Sequence, residues 1–166
     1  MSDSNIFNFE ADYDLEEDFP NLRTRGWQKK SERDTKYNCV AYAANDLRRK
    51  WDSARGYYWP PGAVREYSIA GWADAFRVLG YKPCESIEPE PDFEKIAIYE
   101  KNGKPTHVAR QRESGVWTSK LGPDEDIDHN TLDALEGEIY GRPSFFMKRR
   151  RWTPKAENEP MLISNT

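Results

Sequence analysis

The stretch Lys95-Ile96-Ala97-Ile98-Tyr99-Glu100-Lys101-Asn102-Gly103-Lys104-Pro105-Thr106-His107-Val108-Ala109-Arg110-Gln111 reads as two strands joined by a turn. Asn-Gly suits a tight hairpin because both positions accept positive φ. The apolar run 95–99 has the length of one strand, and 106–111 pairs back as the next. Alternation puts His107, Ala109 and Gln111 on one face, with Val108 and Arg110 on the other. Glu113-Ser114-Gly115 turns the chain again into Val116-Trp117-Thr118-Ser119. Beyond an acidic loop at Asp124 to Asp128, residues 130–137 read as helix ending at Gly137, and Ser144-Phe145-Phe146-Met147 as a last strand.

Toward the N-terminus the periodicity changes. In Asn38-Cys39-Val40-Ala41-Tyr42-Ala43 the asparagine is a suitable N-cap, since its side-chain oxygen can accept an orphan backbone N–H. Val40, Ala43, Ala44 and Leu47 then follow the i, i+3, i+4, i+7 spacing of a helix of about three turns. Tyr57-Tyr58-Trp59-Pro60-Pro61-Gly62 is an aromatic loop that cannot be helical. A second helix carries Ile69, Trp72, Ala73, Phe76 and Leu79 on one face and stops at Gly80. Three regions are expected: an acidic arm at 1–30, an α+β domain at 31–151, and a tail at 152–166 whose prolines and polar residues read as disordered.

Composition narrows the class. The 166 residues suit one domain with a core of its own. A charged fraction of 33% against 37% hydrophobic leaves the 22 aromatic residues to supply much of the buried volume. Cys39 and Cys84 do not make a disulfide framework, which points to a reducing compartment. No run approaches the ~20 apolar residues of a membrane span, and the acidic start is unlike a secretory signal. A cytoplasmic location is expected, with any export left to a dedicated secretion system. Residues 1–20 carry seven acidic side chains and no Lys or Arg, so the rest of a chain of net charge −4 is net positive. That arm is a candidate surface for a protein partner. The run Lys148-Arg149-Arg150-Arg151 is too short to argue for nucleic acid alone.

Cys39 at a helix start and His107 on a strand are the residues a thiol nucleophile and its base require. Reaction needs the thiolate, which a helix N-terminus and a nearby imidazolium favour. The residues also leave open a buried, unreactive Cys39 and a structural His107. Cys84, in a loop after Pro83, and His129, in the acidic loop, read as structural. A zinc site from Cys39, Cys84, His107 and His129 lacks the paired spacings of known sites, so neither metal nor cofactor is expected.

Asn38-Cys39-Val40-Ala41-Tyr42-Ala43 resembles the cysteine motif, and His107-Val108-Ala109 the histidine motif, of papain-like cysteine hydrolases. The similarity is to the branch of cysteine- and histidine-dependent amidohydrolases/peptidases and NlpC-type cell-wall endopeptidases. Trp117-Thr118-Ser119-Lys120-Leu121-Gly122 and Tyr140-Gly141 also resemble a bacterial family of unassigned function. The resemblance implies a papain-like α+β core, with N-terminal helices packed on a small antiparallel sheet. It implies a peptidase, amidase or deamidase acting on a peptide or protein through a thioester, as an intracellular enzyme or an injected effector. The third catalytic position falls on Ser119, with Gln111 as the alternative; the motifs usually place an acid, His, Asn or Gln there, and glycine where Thr106 stands. Asn38, Tyr57, Tyr58, Trp59 and Trp117 complete the expected substrate contacts, although the 57–59 aromatics could equally cover the core. The rival reading is a non-catalytic domain of the same fold that binds protein.

Overall fold

Asn102 and Gly103 both take positive φ, 53° and 77°, and fold β3 (Phe93–Lys101) onto β4 (Lys104–Gln111), with Ala97 opposite Ala109 and Tyr99 opposite His107. The computed structural model describes residues 15–151. Around this hairpin it places β1 (Trp27–Lys29), β2 (Lys82–Cys84), β5 (Trp117–Lys120), β6 (Asp126–His129) and β7 (Arg142–Arg150). All pairings are antiparallel, and the seven-stranded sheet runs β1-β6-β5-β4-β3-β7-β2.

The described helices are few and short: α1 (Asn21–Arg25), α2 (Cys39–Ala43), α3 (Ile69–Val78) and a 3-10 turn at Leu132–Leu135, with residues 15–18 helical ahead of them. This corrects the expectation of a papain-like α+β core with helices on a small sheet. The fold is β-rich. Three strands were not read from the sequence, β3 and β7 run longer than their apolar runs, and the predicted three-turn helix is a five-residue one.

The shortening of α2 has a local cause. Asn45 takes φ 67°, its N–H donates to the Tyr42 carbonyl, and the Asp46 N–H donates to the Ala41 carbonyl. That pairing closes a helix in a left-handed C-terminal cap. Leu47, expected on the buried stripe, is therefore exposed. α3 forms as its periodicity indicates. Ser68 caps Gly71, and Gly80 at φ 99° lets Tyr81 reach back to the Phe76 carbonyl.

The sheet separates two apolar clusters. On its first face Ile96, Ile98, Val108 and Met147 pack with Val40 and Tyr42 of α2, Phe76 of α3, and Trp51 and Trp59. On its second face Ala97, Tyr99, Ala109, Trp117 and Ile127 pack with Leu15, Phe19, Leu22, Leu132 and Tyr140. Residues 15–30, assigned by sequence to the acidic arm, are thus built into the domain: β1 pairs with β6 and Leu22 is fully buried. The rest of the arm and the tail lie outside the described residues.

Candidate functional site

Cys39 opens α2. Asn38 Oδ1 accepts the backbone N–H groups of Ala41 and Trp51, at 3.2 and 3.1 Å, and its Nδ2 donates to the Trp51 carbonyl at 2.8 Å. Both ends of this amide are used inside the protein, so Asn38 clamps the loop through Trp51 against α2. Asp46 secures the same loop. Its carboxylate accepts the Trp51 indole, the Arg48 N–H and the Arg49 guanidinium. Burial works against that charge, and these three donors hold its pKa down to about 2.

Cys39 itself is half-buried and packs with the first-face cluster. Burial pushes its thiol up to about 11. Against that, the backbone groups of Val108, Val40 and Cys39 itself favour the thiolate, while Asp52 disfavours it. The helix start therefore does not acidify the thiol in the resting protein, because desolvation outweighs the amides. β5 pairs with β4 at Arg110 and Gln111 alone, so the ladder between the two strands stops short of Val108. The Val108 backbone, beyond that ladder, is one of the groups that favour the thiolate.

His107 belongs to the second face, opposite Tyr99. It is fully buried, and among the described residues neither ring nitrogen has a hydrogen-bond partner. Tyr140 lies parallel to it, centroids 4.2 Å apart and planes 8° from each other, and Tyr99 meets its edge at 5.3 Å. Burial and the neighbouring His129 hold the imidazole well below its ordinary range. Cys39 packs with the first-face cluster and His107 belongs to the second face; both are held neutral, and among the described residues no hydrogen bond joins them.

The other expected site residues are dispersed. Ser119 does not orient His107: its Oγ is 2.8 Å from Nε2 of His129, whose Nδ1 is 2.9 Å from the Thr131 carbonyl. A carbonyl only accepts, so Nδ1 carries the proton and Ser119 donates to Nε2. His129 lies on β6, not in a loop. Gln111 donates to the Ile87 carbonyl at the far end of β4. Trp59 is buried with its indole on the Val64 carbonyl, and Trp117 is buried in the second-face cluster, so both are core. Tyr57 is exposed, and Tyr58 packs on Trp51 under the Arg49 guanidinium.

Tyr140 was missed as a neighbour of His107. The usable signal was Tyr140-Gly141, since Gly141 takes φ 73° and a Cβ there would collide with the Glu100 carbonyl. The basic run at the end of β7 is partly paired: Lys148 with Glu90, and Arg149 and Arg151 with the single carboxylate of Glu94. Among the described residues, no cluster of His, Cys, Asp or Glu is placed to hold a metal ion, and no helix is long and apolar enough to cross a membrane.

A β-rich sheet domain carrying this cysteine and histidine is what the fold and the site define. The chain belongs to the family described as a domain of unknown function, DUF7689, which matches residues 28–148. No curated protein and no solved structure matches it.

Proposed function

We propose that the protein is a cysteine-dependent hydrolase of amide or ester bonds, with Cys39 as nucleophile and His107 as base. One observation carries the reading. His107, next in the chain to the Val108 backbone that favours the Cys39 thiolate, buries an imidazole whose two nitrogens have no partner among the described residues. Leaving such a group unpaired costs about 1–3 kcal/mol. A reaction that uses the imidazole as a proton acceptor gives that cost a purpose.

The resting pair is neutral thiol and neutral imidazole, so the chemistry is general-base catalysis and not a preformed ion pair. In the reaction the imidazole of His107 acts as general base and takes the S–H proton. The thiolate adds to the carbonyl carbon, and the backbone N–H of Cys39 stabilises the oxyanion. Collapse expels the amine or alcohol, which takes the proton back from the imidazolium. Water, deprotonated by His107, then releases the acid and restores the thiol. Among the described residues no third group hydrogen-bonds the imidazole.

The second reading, a non-catalytic protein-binding domain, is favoured by the elevated thiol pKa and the missing hydrogen bond. Acylation separates the two. With p-nitrophenyl acetate as acyl donor, acid quenching and mass spectrometry should find an acetyl thioester on Cys39, lost in Cys39→Ala. Acetylation confined to Cys84 or to lysines would exclude the hydrolase.

A further inference from the structure

Among the described residues none orients the imidazole of His107 by a hydrogen bond, yet the ring is closely held. Tyr140 covers one side of the ring almost in parallel, and Tyr99 closes its edge. The segment carrying Tyr140 is fastened at three points. Gly137 and Gly141 exchange backbone hydrogen bonds of 3.0 and 2.9 Å. The Thr106 hydroxyl donates to the Tyr140 carbonyl at 2.6 Å, from the position next to His107. Gly141 lies against the Glu100 carbonyl so closely that only glycine fits, at a φ that glycine alone adopts readily.

We propose that Tyr140 is the positioning residue for His107, its ring setting by stacking the imidazole plane that a hydrogen-bonded third residue would otherwise set. The proposal rests on the reading of Cys39 and His107 as nucleophile and base. Stacking fixes the ring while leaving both nitrogens free of protein partners, so one can accept the thiol proton. The face of the phenol ring also favours a cation above it. The imidazolium formed in an otherwise apolar surround is therefore stabilised at the step that needs it.

The test uses the full chain and iodoacetamide, with Cys39 and Cys84 labelling followed separately by mass spectrometry across the pH range. Tyr140→Leu should slow Cys39 labelling between about threefold and tenfold near neutral pH, the range expected for one aromatic contact. It should also move the acidic limb of the Cys39 profile to lower pH, since the imidazolium loses its cation–π partner. Tyr140→Phe, which keeps the ring, should rescue both effects. Unchanged Cys84 labelling reports an intact fold. If Tyr140→Leu matches wild type while His107→Gln slows Cys39, the positioning role is overturned and the base survives; if neither variant has an effect, the base reading fails as well. Should Tyr140→Leu not fold, the wild-type proton NMR spectrum decides. His107 ring protons shifted upfield relative to those of His129 support the stack, and unshifted ones overturn it.

Discussion

His129 and His107 lie on the same face of the same sheet, both fully buried, both pushed toward the neutral form, and their surroundings differ in one respect. Around His129 every polar valence is used: Ser119 donates to one nitrogen and the Thr131 carbonyl accepts from the other. Around His107 the walls are aromatic and neither nitrogen has a partner among the described residues. A satisfied buried polar group stabilises a fold, whereas an unsatisfied one lowers stability and calls for another explanation. The difference assigns His129 to the scaffold and makes His107 the candidate for chemistry.

The sharpest way to break that contrast is to remove each ring. His129→Ala leaves the Ser119 hydroxyl unpaired and opens a cavity between β5 and β6, so a loss of about 3 kcal/mol in chemical denaturation is expected. A loss below about 1 kcal/mol would contradict the scaffold role. pH gives the same contrast without mutation. Burial lowers His129 from its ordinary 6.5 to about 4 in the folded protein, and His107 shifts the same way. The unfolded chain therefore binds more protons in this window, and stability is full above about pH 6.5 and falls as pH drops toward 4. His129 alone accounts for roughly 3 kcal/mol of that fall at 1.36 kcal/mol per pH unit. His129→Gln should flatten the slope, and an unchanged slope would remove the argument.

The smallest expected effect is also the most distinctive. His107→Phe keeps a ring between Tyr99 and Tyr140 while deleting two unpaired nitrogens. The variant should be about 1 kcal/mol more stable than wild type, since an apolar group replaces a desolvated polar one. It should also fail to form the Cys39 thioester. A stabilised but inactive variant is the expected signature of a functional residue held at the expense of stability. Destabilisation by more than about 2 kcal/mol would place His107 in the scaffold beside His129.

How much of this was legible in the sequence depended on how local the determinants were. The hairpin of β3 and β4 was, because Asn102-Gly103 fixes the turn and the apolar run fixes the first strand. α3 was as well, since Ser68, the apolar face and Gly80 all act within one helix. β6 was hidden: its Asp126 and Asp128 read as a loop, but on the first face they meet Tyr37 and Arg112. β1 and β2 are three residues each, and Pro83 argues against strand by propensity. The end of α2 turned on Asn45 adopting a left-handed conformation, which periodicity does not register.

At the site, the Asn38 cap and the shared face of His107, Ala109 and Gln111 could be read from spacing alone. Which face of the sheet α2 would cover could not, and that decides whether thiol and imidazole start in contact. Nor could the diversion of Ser119 to His129, which depends on a strand that the sequence conceals.

The most direct test of the central claim is the rate at which iodoacetamide alkylates Cys39 near neutral pH in wild type and in His107→Gln, with Cys84 in the same molecule as the reference. A base that takes the thiol proton contributes typically 10²–10⁴-fold to such a step. The account predicts at least an approximately tenfold slower reaction at Cys39 in the variant, with Cys84 unchanged. Equal Cys39 rates in the two proteins would contradict it, leaving His107 as a buried ring without a role in the chemistry of the thiol.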